Sequence, residues 1–305
     1  MTAPFVVPPA VLAVALATLL DLLVAEFPER AHPVAAFGRA VGAVDRAWAR
    51  PRLVGALAAL ALPLAASGVA GAVVAAGGRL DPLLGAAVAG VVLFSTTSLR
   101  MLLAVAGEVV ALTEADLPAA RSRARALVGR DADDLSAAEV RSAAVESAAE
   151  NLADGLVAPL LAFAAAAHLS LPAAAAAATW VKAVNTMDSM LGYPGTPVGA
   201  ASARLDDAAM WVPARLSAAL LAAAAGDPAA LLRARQWAGA PDSPNSGWPM
   251  ATLAAALGVR LEKPGAYRLN PRGALPSVAQ ARRGVRVVGV AGLLAIVGAG
   301  VVSWS

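Results

Sequence analysis

Five stretches of this chain carry almost no ionisable side chain: residues 2–20, 53–78, 82–99, 155–181 and 287–305, with His168 the one titratable group inside them. Roughly 20 apolar residues cross a bilayer as a helix. Lipid offers the backbone no hydrogen-bond partner, so only helices or closed barrels can span it. Composition agrees: 59% of residues are hydrophobic, 15% are charged and mean hydropathy is +0.68, outside the range of soluble domains.

The expected fold is therefore an all-α, polytopic integral membrane protein forming one membrane-embedded domain over 1–305. Apolar helices are expected near 5–25, 53–77, 82–99, 155–181, 208–225 and 286–304. Polar cytoplasmic segments are expected at 26–52, 100–154, 186–207 and 227–285. Much of the apolar content is Ala and Gly, which favours close helix packing. The first run has no basic residues before it, and Asp21 and Glu26 stand where a cleavage site would fall, so it reads as a retained helix. Cysteine is absent and the only histidines are His32 and His168, which excludes thiol catalysis and histidine-rich metal sites. The arginines are scattered along loops without interleaved aromatics, so nucleic acid is not an expected partner.

The basic loop with Arg30, Arg39, Arg46, Arg50 and Arg52 belongs on the cytoplasmic side by the positive-inside rule. "GGRLDP" at 77–82 breaks a helical hairpin. Gly129 is a helix stop, and Ser136 with Glu139 three residues on is a capping-box start. "HLSLP" at 168–172 breaks the run 155–181 into a re-entrant or buried hairpin, because Pro172 cannot continue a helix without losing a hydrogen bond. No Walker A sequence is present.

Three polar clusters lie at the margins of apolar runs. Glu146, Glu150 and Asp154, with Asn151 among them, fall at i, i+4 and i+8. Like charges at that spacing repel, so a cation is expected opposite them, or one of them is protonated. Lys182, Asn185, Asp188 and Ser189 form the second cluster. Arg204, Asp206, Asp207 and Arg215 form the third, with Asp207, Trp211 and Arg215 on one helical face. Ionisable groups at membrane depth are costly and commonly functional. Ion pairs that merely glue helices are the bland alternative, with Lys182 and Arg204 neutralising the acids. Carboxylates beside amides and hydroxyls suit magnesium, and arginines suit phosphate, so together they describe a site for a magnesium-bound phosphate. His32 is a candidate base or a loop histidine, and His168 reads as structural. "PDSPNSGWP" adds Ser243, Asn245 and Trp248 in a rigid polar loop.

"HPV…GR" at 32–39, "AVESAAENLADGLVAPL", "KAVNTMDSMLGY", "SARLDDAAMWVPARL" and "SPNSGWP" followed by "ALGVRL" resemble, in this order, the signature blocks of the CobD/CbiB family. The resemblance implies an adenosylcobinamide-phosphate synthase of cobalamin biosynthesis, multi-pass in the cell (inner) membrane with its active site facing the cytoplasm. Such an enzyme joins a carboxylate of adenosylcobyric acid to (R)-1-amino-2-propanol phosphate, or ethanolamine phosphate, using ATP and Mg2+. Other membrane-bound cobalamin-assembly enzymes are implied partners, beside the lipid bilayer itself. Where the family reads Gly-Asp-Pro, this chain reads "AEFPER", leaving Glu26 or Asp21 for that role.

On this basis His32, Glu146, Glu150, Lys182 and Asp188 are the catalytic candidates. Asn151, Asn185, Ser189, Arg204, Arg215, Ser243, Asn245 and Trp248 are expected to bind substrate or phosphate. Glu150, Asp154, Asp188 and Asp207 are expected to hold Mg2+. ATP would phosphorylate the carboxylate, since an unactivated carboxylate is a poor electrophile, and the amine would then attack. A transporter lined by intramembrane charges and a structural subunit of a corrinoid-assembly complex are the competing readings.

Overall fold

A computed structural model describes residues 7–128, 133–193 and 195–304. Helices run in chain order as α1 (Pro9–Val24), α2 (Pro33–Gly42), α3 (Pro51–Leu80), α4 (Pro82–Thr96), α5 (Arg100–Ala115), α6 (Leu117–Val128) and α7 (Ala137–Leu152). A π turn (Ala153–Val157) leads into α8 (Ala158–Ala167). There follow α9 (Leu171–Leu191), α10 (Ala200–Ala209), α11 (Trp211–Ala224), α12 (Ala229–Ala234), α13 (Gly247–Leu257) and α14 (Val278–Val302). The chain is nearly all-α; the exception is an antiparallel ribbon of β1 (Leu261–Lys263) and β2 (Tyr267–Leu269).

Four helical stretches among the described residues are long and apolar enough to cross a membrane: Pro51–Leu80, Pro82–Ala115, Ala137–Ala167 and Val278–Val302. Large apolar side chains stand exposed along two of them, including Leu57, Leu64 and Val69 on the first and Leu293, Val297 and Val301 on the last. Such surface is unstable in water and suits lipid. The outcome differs from expectation in three places. Helix α1 has 16 residues and α11 has 14, which at 1.5 Å each fall short of a core about 30 Å thick. Met210 interrupts the helix expected over 208–225. Two of the four stretches also draw residues from 100–154, the segment expected to be polar and cytoplasmic. Its apolar residues Val105, Ala106, Val109 and Val110 are the buried face of α5, which packs on α7.

The chain divides into two compact units. The first comprises 1–98, 158–209 and 295–305. Here α1 packs on α4, α3 and α4 form a hairpin, and α9 packs on α3, α8 and α10. Asp81 ends α3 and caps α4 by accepting from the amides of Leu83 and Leu84, which is the expected break at "GGRLDP". A Cβ on Gly85 would lie 2.8 Å from the Gly78 Cα, so this close approach of α4 to α3 requires glycine at 85. The break at "HLSLP" is also present. Ser170 caps α9 by accepting from the Ala173 amide, and Pro172 sits in the first turn, where a missing N–H costs nothing. The hairpin of α8 and α9 that results is a pair of packed helices.

The second unit comprises 99–157 and 210–294. Ser136 and Glu139 form the expected capping box at the start of α7. The stop at Gly129 lies outside the described residues. Arg141 braces α7 by donating to the Pro276 carbonyl (2.8 Å) and to Thr113 Oγ1 (3.2 Å). After α7 the ladder widens into the π turn, immediately before Pro159. Proline has no N–H for the carbonyl four residues back, and a widened turn accommodates that loss. Asp154 lies in this turn, and α11 packs against it.

Candidate active site

In the second unit, Glu146 is 4% exposed and both its carboxylate oxygens are engaged. Ser142 Oγ donates to Oε1 and Tyr267 OH to Oε2, each at 2.8 Å. Ser142 Oγ in turn accepts from the backbone amide of Glu262 at 2.8 Å. Glu146 thus fastens β1 and β2 onto α7. Removing it strands a buried hydroxyl, at a cost of about 1–3 kcal/mol. Glu146→Ala is expected to lower the unfolding temperature by several degrees, and Tyr267→Phe by less. An unchanged melting curve for Glu146→Ala would contradict this placement.

Glu150, one turn on, interacts electrostatically with Asp154 and Glu146 on its own stripe and with Lys263 on β1. Lys263, carried in by the ribbon, is a cation that favours the Glu150 charge, against burial and the two neighbouring acids. Asn151 donates to the carbonyl (3.0 Å) and hydroxyl (3.1 Å) of Ser147. Fixing the amide group this way turns its oxygen to the other side.

Arg215 on α11 is held from several sides. Its Nη1 donates to the Trp211 carbonyl (3.0 Å) and to Asn245 Oδ1, and its Nη2 to the Pro244 carbonyl (3.2 Å). The guanidinium carbon lies 4.6 Å from the Trp211 ring centre and 5.2 Å from that of Trp248. Asn245 is 4% exposed, and its own amide donates to Ser243 Oγ at 3.2 Å. Two blocks far apart in sequence thus meet: Arg215 with Ser243, Asn245 and Trp248. Trp211 completes the cradle. Of the helical face expected to join Asp207, Trp211 and Arg215, only Trp211 and Arg215 stay together, because Met210 separates α10 from α11. Pro213, buried in the first turn of α11, is compatible only with a helix that begins just before it.

In the first unit, the polar end of α9 faces α10. Asn185 Nδ2 donates to Asp206 Oδ1 at 3.5 Å, and both side chains are buried. Burial pushes the Asp188 carboxyl above the ordinary carboxylate range, and the nearby Asp207 charge pushes it further; burial also raises Asp207. A Cβ on Gly192 would meet Asp188 Oδ1 at 1.9 Å, so glycine there lets the carboxylate lie against the chain as it leaves α9. Ser189 is exposed, its hydroxyl donating to the Asn185 carbonyl at 2.9 Å.

A carboxyl with a raised folded pKa binds its proton more tightly in the native state. Its stabilising effect is present below the unfolded value near 4 and is lost as pH rises through the folded value. Without divalent cations, the contribution of this pair to the melting temperature is expected to fall from about pH 4 upward. Asp207→Asn should flatten that fall, and a wild-type slope in the variant would contradict the coupling.

Two cavities flank α9 on the side of α2. One, of about 530 Å3, is apolar, with Lys182 as the charged residue on its wall beside Thr179 and Thr186. The other, of about 470 Å3, carries Glu26 and His32. Thr186, Phe27 and Val34 line both. His32 Nδ1 accepts from the Val34 amide (3.1 Å) as the cap of α2, and Nε2 lies 3.4 Å from Glu26 Oε1. With its Nδ1 lone pair committed, the neutral ring carries its proton on Nε2 and turns it to Glu26. Arg204 lines a third pocket, together with Arg52. Among the described residues no three carboxylate or histidine groups converge on one point. The acids lie in pairs, Glu150 with Asp154 and Asp188 with Asp207, one pair in each unit. Magnesium is commonly held by one or two carboxylates plus substrate phosphates, and paired acids fit that use.

Sequence reasoning missed Glu26 as the partner of His32, and with it the roles of Tyr267, Ser142 and Lys263. Glu26 was visible as an acid near the family's Gly-Asp-Pro position, and Ser142 as the residue one turn before Glu146; Tyr267 and Lys263 depend on contacts between distant segments.

The family model described as "CobD/Cbib protein" matches residues 14–290. A relative named probable cobalamin biosynthesis protein CobD, from Methanothrix thermoacetophila, is 35% identical over 92% of this chain and 92% of its own. Cobalamin biosynthesis protein CbiB of Salmonella typhi is 35% identical over 91% of this chain and 89% of its own. The Klebsiella pneumoniae protein named CobD is 37% identical, covering 84% and 83%. No solved structure matches.

Proposed function

The chain belongs to the CobD/CbiB family of cobalamin biosynthesis proteins, and from that premise we propose that it is an adenosylcobinamide-phosphate synthase. It joins a carboxylate of adenosylcobyric acid to the amine of an amino-alcohol phosphate at the expense of ATP. The observation that carries the reading is Arg215. A guanidinium held by two carbonyls, one buried amide and two indoles is preorganised for phosphate, and such a cradle has little use in a purely structural helix bundle.

A carboxylate oxygen of the corrinoid attacks the γ-phosphorus of ATP and ADP departs, giving an acyl phosphate. The amine then attacks the acyl carbon, phosphate leaves, and the amide forms with loss of one proton. Arg215 holds phosphate oxygens as charge shifts onto the leaving groups. Lys182, on the wall of the apolar cavity, is proposed to pair with the corrinoid carboxylate. Asn185 and Ser189 position substrate at the polar end of α9, and Asn151 does so beside Glu150. Glu26, oriented by His32, accepts the ammonium proton; the pair thus takes the role expected of His32 alone. Mg2+ bound with the nucleotide would be held by Asp188 with Asp207, or by Glu150 with Asp154, and would offset the charge of the transferring phosphoryl group. The site is proposed to face the cytoplasm, where ATP is found.

A bacterium lacking its own CbiB tests this in cells. Fed adenosylcobyric acid, it should regain cobalamin only when this chain is expressed; fed cobinamide, it should need no help. Failure to rescue the first culture, or a requirement for the chain in the second, would overturn the reading.

A further inference from the structure

A second kind of phosphate site stands on the surface of the first unit. Helix α3 begins at Pro51 and continues for 30 residues. Immediately before it, Trp48 is half-buried, donates its indole N–H to the Val44 carbonyl (2.9 Å), and carries the Arg46 guanidinium 4.1 Å above its ring. Tryptophan and arginine together at the start of a long apolar helix mark the depth of lipid headgroups. Here a pocket of about 690 Å3 lies between α3 and α10, with Arg52, Ala56 and Leu60 on one wall and Arg204 and Ala208 on the other. Both arginines are exposed, and neither has an ion-pair or hydrogen-bond partner among the described residues. Two unneutralised guanidiniums on one cavity repel each other unless an anion lies between them. From this pocket an exposed stripe runs up α3: Leu53, Leu57, Leu60 and Leu64 are 51%, 60%, 59% and 59% exposed, at the spacing of one helical face.

We propose that this pocket holds an anionic phospholipid of the surrounding bilayer, its headgroup phosphate on Arg52 and Arg204 and an acyl chain along the leucine stripe of α3. A soluble phosphate ester would satisfy the arginines but has no use for the stripe, which selects the lipid. The bound lipid braces α10, the helix whose Asp206 and Asp207 face α9. The proposal does not rest on the reaction proposed above, because its readout is binding alone.

The purified protein, stripped of lipid in a neutral detergent, would be titrated with phosphatidylglycerol or phosphatidylcholine, and retained lipid counted by native mass spectrometry. The expected result is at least tenfold tighter retention of phosphatidylglycerol. Arg52→Gln should abolish that preference, and Arg52→Lys should keep part of it. Leu60→Gln, at an exposed position, should weaken retention of both lipids. Equal retention of the two lipids by the wild type, or an unchanged preference in Arg52→Gln, would overturn the proposal. So would complete displacement of phosphatidylglycerol by millimolar inorganic phosphate, which would make the pocket a site for free phosphate.

Discussion

Replacing Asp188 by asparagine is expected to cut turnover by about 10²–10³-fold while raising the melting temperature at neutral pH. The two effects share one cause. Asp188 is half-buried beside Asp207, and burial and like charge together oppose its ionisation. A side chain kept under such opposition costs stability, and asparagine of the same shape removes the cost. In turnover the same pair is proposed to hold Mg2+ with the nucleotide, where two carboxylates become an advantage. Losing one such electrostatic partner costs about 10²–10³-fold in kcat. Asp188→Ala should be equally inactive and still be expressed. Steady-state assays and melting curves on the same preparations check both halves. Wild-type turnover in Asp188→Asn would remove Asp188 from the site, and a loss of stability would show that the carboxylate serves the fold.

Arg215→Lys is the second large effect. Lysine keeps the charge but loses the planar fork that donates to the Trp211 and Pro244 carbonyls and to Asn245, and it stacks less well on the indoles. The expected result is a fall in kcat of about 10²–10³-fold, with stability close to wild type because Arg215 is only half-buried. Trp248→Ala should give an intermediate loss, since it loosens the cradle without removing the cation. If Arg215→Lys retains full activity, a point charge suffices there and the cradle has no catalytic purpose.

Much of the helical framework is legible from local sequence. The break at Asp81, the capping box at Ser136 and the interruption before Pro172 each follow from one or two residues whose backbone chemistry permits little else. The errors arose where composition was used alone. An alanine-rich helix such as α11 is as apolar as a spanning helix, because it buries small side chains against neighbours. Hydropathy does not separate the two. The "KPGAY" turn that closes the ribbon was present in the sequence, with Gly265 at a φ of +77°. Strands of three residues are too short to show a period of two, however, so β1 and β2 were overlooked.

The candidate site was legible as residue types and hidden as partnerships. Glu146 looked identical to Glu150 on the stripe, yet its oxygens belong to Ser142 and Tyr267. Lys182 and Arg204 were the obvious cations for the acids, whereas Lys263, beside Glu150, arrives on a ribbon more than a hundred residues further along. Arg215 and "SPNSGWP" were noted separately, and only the packing of α11 on α13 brings them together. Contacts of that separation in sequence leave no periodic trace.

The most direct measurement incubates the purified protein in detergent with adenosylcobyric acid, aminopropanol phosphate, ATP and Mg2+, following the corrinoid mass and ADP release together. The expected result is a corrinoid heavier by the amino-alcohol phosphate less one water, matched by equal ADP, and lost when ATP or metal is omitted. A corrinoid that stays bound but unchanged in mass, with no ADP formed, would contradict the synthase and leave a carrier or scaffold in its place.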